Sequence, residues 1–216
     1  NYHTWNMRGK GAKRLAGMIL WWASTSAPQA VPGAYKVVLE VENKPAQSRV
    51  FTILADKNAE TDVAGMQRQF DFITDVNTMV DKAHTSIEKI RAINKQFKAF
   101  KKQYKSNEAI KELIEKADTL SEQFSAIEKA LYQTKNRSGQ DPLNFPIRLT
   151  NKLAHLNSLV SMDDFPPTTQ DIAVKNELTK AITKELDTLE ALISGEIKTF
   201  NQEFNKKQLN YLFIEQ

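Results

Sequence analysis

A heptad seam of more than four repeats fixes most of what this chain can become. Ile73, Val80, Ile87, Asn94 and Lys101 recur every seven residues, and Val76, Ala83, Ile90, Phe97 and Tyr104 recur three positions later. That spacing lays both sets along one stripe of an α-helix. The pattern runs over residues 62–105, with Thr61 or Asp62 as its cap, and predicts a rod of roughly 66 Å. So long a helix with one apolar stripe needs other helices to cover it.

The covering seams follow in order. Ile110, Leu113, Ala117, Leu120, Phe124, Ile127 and Leu131 carry a second helix after a break at Ser106 or Asn107. So short a connection makes the two helices antiparallel neighbours. Leu149, Leu153, Leu156 and Val160 mark a third helix, with Pro146 suited to its first turn. The run Asp163-Asp-Phe-Pro-Pro167 breaks it, and Thr168 with Asp171, or Thr169, begins a fourth. Leu178, Ile182, Leu186, Leu189, Ile193, Phe200 and Phe204 line the inner face of that fourth helix, and Gly195 is a local weak point. The tail Leu209–Ile214 is apolar enough to dock. These seams predict an up-down-up-down bundle. That topology puts the start of the first helix, the Gln133–Phe145 loop and the C-terminus at one end.

Residues 1–58 read as β. His3, Trp5 and Met7 alternate with Thr4 and Asn6, the period of a half-buried strand. Met18–Trp22 is a short buried strand or an apolar crossing. Pro32-Gly33 suits a type II turn, and Tyr35, Val37, Leu39 and Val41 then share one face of a strand. Glu42–Pro45 turns it into a return strand over Gln47–Leu54. A complete immunoglobulin-like sandwich needs about seven strands, more than this stretch holds. The expected fold is α+β. A partial immunoglobulin- or fibronectin-like β-sandwich occupies residues 1–58, and an elongated antiparallel four-helix bundle occupies 59–216. The chain opens at Asn1 inside a strand pattern, and we expect a fragment whose sheet is completed by other polypeptide.

Chemistry is sparse. There is no Cys, hence no thiolate or disulfide, and His3, His84 and His155 stand alone without metal-ligand spacing. Asp163-Asp164 lacks the alternating ligands of a calcium loop. Gly-rich phosphate loops and nucleophile elbows are absent. Paired carboxylates such as Asp71 and Asp75 fall on an outer helix face. The sequence therefore presents no active site, no metal site and no cofactor site. A net charge of +4 does not by itself argue for nucleic acid. Arg91, Lys95, Lys98, Lys102 and Lys105 line one helix face, read either as a stripe for anions or as solvated cations near a helix C-terminus. The longest apolar patch, Met18–Ala23, is far short of the roughly 20 residues that span a bilayer.

The densest polar stretch lies between the second and third helices. Gln133, Lys135, Asn136, Arg137, Gln140, Asp141, Asn144 and Arg148 offer directed hydrogen bonds, while Gly139, Pro142 and Pro146 restrict the backbone. The loop reads as a structural clamp or as a ligand or partner site. Trp21 and Trp22, with Trp5, read as core-filling aromatics or as flat faces for stacking on sugars.

The central block Leu131-Tyr-Gln-Thr-Lys-Asn-Arg-Ser-Gly-Gln-Asp-Pro-Leu-Asn-Phe-Pro-Ile-Arg-Leu-Thr-Asn-Lys-Leu-Ala-His-Leu156 resembles the C-terminal region of large secreted bacterial proteins with sortilin-like BNR-repeat propellers, often labelled glycosyl hydrolases. The blocks Trp5–Arg8 with Gly17–Trp22, and Val31–Leu39, resemble the same region. The resemblance implies a propeller upstream, an immunoglobulin-like module, then a helical bundle, in an extracytoplasmic location. It carries no catalytic residue onto this chain. The function it implies is a non-catalytic spacer or docking module. Its partner would be the upstream part of the same protein or another subunit of a surface assembly. The alternative is an accessory glycan-binding domain of a secreted glycosyl hydrolase-like enzyme.

Overall fold

The computed structural model describes residues 2–209, and the chain is mixed: mostly helical, with one small antiparallel sheet. Strand β1 (Gly33–Leu39) pairs with β2 (Gln47–Ile53) in a register that sets Tyr35 opposite Phe51 and Val37 opposite Arg49. Helix α1 (Val63–Tyr104) starts where the Asp62 carboxylate accepts the Gly65 N–H at 2.6 Å. Helix α2 spans Lys111–Leu131, α3 spans Leu149–Val160 and α4 spans Thr169–Ala191. A reciprocal capping box between Thr168 and Asp171 opens α4 as expected. The weak point at Gly195 is a π-helical segment, Leu192–Ile197, which leads into α5 (Lys198–Lys206).

The up-down-up-down order does not hold. Helix α2 pairs with the far half of α1: Asp118 meets Lys101, Ser121 and Ser125 meet Asn94, and Glu128 meets Arg91. Helix α3 pairs with the near half, through Asn157 on Asn77 and the Val160 carbonyl on Gln69. Both therefore run antiparallel to α1, nearly end to end, and together form one broken leg. The α4–α5 leg runs parallel to α1, with Lys175 on Asp75, Lys89 on Glu190 and Phe200 on Phe97. Length explains the break. At 21 residues, α2 covers about 32 Å, half of the roughly 63 Å of α1, and the 12 residues of α3 continue the descent. The 133–145 loop consequently sits at mid-height, not at the sheet end. The α5 end lies at the opposite pole, where the Lys207 ammonium donates to the Ala109 carbonyl. The sequence also set Pro146 in the first turn of α3, whereas the helix starts three residues later. The expected docking of Leu209–Ile214 lies outside the described residues beyond Leu209, which itself packs against the core.

The core follows the seams. Ile73, Val76, Val80, Ala83, Ile87 and Ile90 are buried along α1 against Leu120, Phe124, Leu131, Leu153 and Ile182. The β reading fares less well. Among the described residues the only strands are β1 and β2, and neither 3–7 nor 18–22 is a strand. Residues 7–12 and 25–30 approach as two antiparallel limbs, joined by an Arg8–Gln29 bridge and by the Ala12 N–H on the Thr25 carbonyl at 2.7 Å. Between them, residues 13–24 form an irregular strap along α1 and α3, with a turn at Ala16–Gly17, the apolar crossing that was the alternative for Met18–Trp22. Leu15 and Met18 are buried in the helical core. Helix pairing, which needs apolar side chains, claimed these residues before a sheet could.

Candidate functional site

The strap is held by side-chain amides. An irregular segment that joins no helix or sheet leaves its backbone N–H and C=O groups to be satisfied by other means. Here Asn151 of α3 takes both groups of Trp21: the Trp21 N–H donates to Asn151 Oδ1 at 2.6 Å, and Asn151 Nδ2 donates to the Trp21 carbonyl at 2.8 Å. Asn77 of α1 and Asn157 of α3 both donate to the Ser26 carbonyl, at 2.7 and 2.9 Å, and Asn157 Nδ2 also reaches Asn77 Oδ1 at 2.9 Å. The Tyr132 hydroxyl accepts the Ile19 N–H at 2.9 Å. His155 Nδ1 donates to the Trp22 carbonyl, and His84 Nδ1 to that of Lys13. A carbonyl only accepts, so each of these rings carries its hydrogen on Nδ1.

His84 is fully buried and its Nε2 has no hydrogen-bond partner. Burial is the main cause that pushes its pKa below the ordinary 6.5. The bond to Lys13 and the Asp81 carboxylate oppose that shift, and the cations Arg14 and Arg91 add to it. The imidazole is therefore neutral at pH 7.

Asn77, Asn151 and Asn157 were not singled out by the sequence, and His84 stood there only as an isolated histidine. A signal existed: Asn77, His84 and Arg91 stand seven residues apart, a polar line one position along from the Val76, Ala83, Ile90 seam. Of that line, Asn77 and His84 meet backbone carbonyls, while Arg91 meets the Glu128 carboxylate.

The central loop binds mainly itself. Gln133 is buried, donating to the Pro146 carbonyl at 2.9 Å and accepting the Lys135 N–H. Asp141 accepts from the Arg137 and Ser138 N–H groups and from the Ser138 hydroxyl. Those bonds, the Arg137 N–H first, hold its pKa below the usual 3.8. The Arg137 guanidinium donates to the carbonyls of Thr134 and Asn136, and Lys135 lies over the Phe145 ring at 5.5 Å. Gln140 and Asn144 are exposed and engage through their backbones, and Arg148 is an exposed residue at the α3 N-terminus. Asn136 is buried, and its Oδ1 lacks a protein partner. Asn136 and Arg137 line a polar recess of about 200 Å³ with Arg91, Tyr132 and the strap backbone at Ala16–Met18. Arg91 is already committed to Glu128 at 2.7 Å, while Lys95, Lys98, Lys102 and Lys105 are exposed.

The tryptophans divide. Trp5 packs with Tyr35 and Phe51 at ring separations of about 6 Å and donates its indole N–H to the Arg8 carbonyl. Trp21 is half-buried. Trp22 is 70% exposed on a backbone held at φ 50°. The hairpin beyond the Trp5 cluster is bare: Leu39 is 59% exposed, Val50 72% and Leu54 82%.

Among the described residues, no group of three His, Cys, Asp or Glu side chains is placed to hold a metal ion, and no helix is long and apolar enough to cross a membrane. No family model matches the chain, and neither a curated protein nor a solved structure matches it.

Proposed function

We propose that this chain is a non-catalytic spacer and docking module, in which an elongated helical bundle carries a fragment of an immunoglobulin-like sandwich. The observation that carries this reading is the β1–β2 hairpin. Val37, Leu39 and Tyr35 share one face, yet only the Tyr35 end is covered, by Trp5. Val38, Val41 and Val50 are also exposed, and a two-stranded sheet has two open edges. An isolated hairpin is marginal in water, and open edges with apolar faces recruit further strands. The partner is β-structure from the upstream propeller-containing part of the same protein or from another subunit of a surface assembly, in an extracytoplasmic setting. The rigid α1 rod and the self-bonded central loop suit a spacer that holds this hairpin at a distance.

Hydrogen exchange tests the reading. In the isolated chain the β1 and β2 amides exchange far faster than those of α1 near Val80, and they become protected when the partner is present. Val50→Lys with Leu39→Lys abolishes co-purification of the partner and leaves helical stability unchanged. Full protection of the hairpin in a lone monomer would refute the proposal.

Trp22 supports a second reading, an accessory glycan-binding domain. Its indole is exposed while the backbone beneath it is fixed through Asn151 and His155. Oligosaccharides then quench or shift tryptophan fluorescence in the native chain and not in Trp22→Ala. No response in either chain removes this reading.

A further inference from the structure

The central loop and the strap enclose a recess of about 200 Å³, lined among others by Gly17, Arg91, Tyr132, Thr134, Asn136 and Arg137. Both of its walls are held in place. On one side the strap turns at Ala16–Gly17, with Gly17 at φ 71° and the Met18 N–H on the Leu15 carbonyl at 3.1 Å. On the other, Gln133 bonds the Pro146 carbonyl and Asp141 bonds the Ser138 N–H.

The lining holds two guanidiniums and no carboxylate. Arg91 uses its Nε on Glu128 at 2.7 Å, and Arg137 uses Nη1 on the carbonyls of Thr134 and Asn136 at 2.9 and 3.0 Å. A guanidinium carries more N–H groups than these bonds occupy, so both keep donors for a ligand. The Tyr132 hydroxyl accepts the Ile19 N–H at 2.9 Å and still has its own hydrogen to donate. Donors of this kind around one recess suit an oxyanion, and a planar fork suits a carboxylate above all.

Asn136 adds a second requirement. It is only 6% exposed, and its Oδ1 has no hydrogen-bond partner. A buried acceptor without a donor is costly, so a ligand that brings a hydroxyl to it gains what a plain oxyanion cannot. The recess is smaller than the roughly 300–1,000 Å³ of most small-molecule pockets, which restricts the ligand to a few heavy atoms. We propose that this recess binds a small free carboxylate with a hydroxyl on the neighbouring carbon. The carboxylate lies against Arg91 and Arg137, and the hydroxyl donates to Asn136.

An amide NMR titration of the full chain tests this with glycolate and with propionate, which puts a methyl where glycolate has its hydroxyl. Glycolate should bind several-fold more tightly, with the largest shifts at Gly17, Thr134 and Asn136. In Asn136→Ala that advantage should vanish, and in Arg137→Gln both acids should weaken several-fold. Lys135→Gln, outside the recess lining, should leave the advantage intact. Equal affinity of the native chain for the two acids overturns the proposal, whether or not the variants fold. Shifts centred away from the recess overturn it as well, as does tighter binding of inorganic phosphate than of glycolate.

Discussion

Asn151 and Trp21 exchange two hydrogen bonds, a side-chain amide taking both backbone polar groups of one residue as a neighbouring strand would. The strap gains a partner for both polar groups of one residue without joining a sheet. It thereby lies across the junction where α2 stops and α3 begins, and ties the broken leg together.

Asn151→Ala leaves the Trp21 N–H and carbonyl without partners beside a buried Asn151 site. The expected cost is about 1–3 kcal/mol, read as a lower urea midpoint with unchanged slope. Asn151→Asp keeps the acceptor for the Trp21 N–H but sets a buried carboxylate oxygen against the Trp21 carbonyl, and should cost at least as much as Asn151→Ala at neutral pH. A midpoint equal to native in Asn151→Ala would show that water replaces the amide at no cost.

His84 makes stability depend on pH. Its folded pKa lies below the unfolded value of 6.5, so the unfolded state binds the proton more tightly. Stability is full above about pH 6.5, and it falls as pH drops through the window between the two pKa values. Urea midpoints measured from neutral to mildly acidic pH should decline in the native chain. In His84→Gln they should start lower and decline less. Parallel declines would assign the effect to other groups.

Asp141 works with the opposite charge. Its bonds to Arg137 and Ser138 favour the ionised form, so its contribution is present above the usual 3.8 and is lost as pH falls through its lower folded value. Asp141→Asn keeps one acceptor oxygen and loses the charge. Amide exchange at Arg137 and Ser138 should speed up several-fold, with global stability nearly unchanged because the loop is exposed. Unchanged exchange would mean the turn holds without the carboxylate.

Gly11 lies against Thr25 where the two limbs that flank the strap meet. A Cβ there would sit 2.2 Å from the Thr25 carbonyl oxygen, a backbone atom that cannot swing aside. Gly11→Ala should part the limbs and cost about 1–3 kcal/mol. Gly9→Ala, with open space around it, should be nearly neutral. Equal midpoints for the two variants would show that the limbs are free to separate.

Much of the helical body was legible because it rests on local rules. The seam Ile73–Tyr104, the Asp62 cap and the Thr168–Asp171 box each need only residues three to seven apart. The hairpin was legible for the same reason, with turn residues between two alternating runs. The eight polar residues of the central loop could be marked as a cluster, and so could Trp21 and Trp22. Which of them turn inward depends on contacts no spacing states. Gln133 and Asn136 are buried, while Gln140, Asn144 and Arg148 face solvent.

The sequence by itself determined which segments are helical, where α1 and α4 are capped and which stripe each helix must bury, because a helix's period and caps are properties of neighbouring residues. Only the tertiary structure decided how the legs are shared. Four helical segments with short turns are compatible with an up-down-up-down bundle, and also with three legs of which one is broken. The choice fell to the second because α2 ends halfway along α1, and the exposed stripe beyond it is covered most completely by α3 continuing in line. The same long-range pairing drew Leu15 and Met18 onto α1 and α3 and made Asn77, Asn151 and Asn157 into backbone partners. Burying apolar surface on the helices made Met18–Trp22 the apolar crossing and not the short strand, and the amides supplied hydrogen bonds that a sheet would have given.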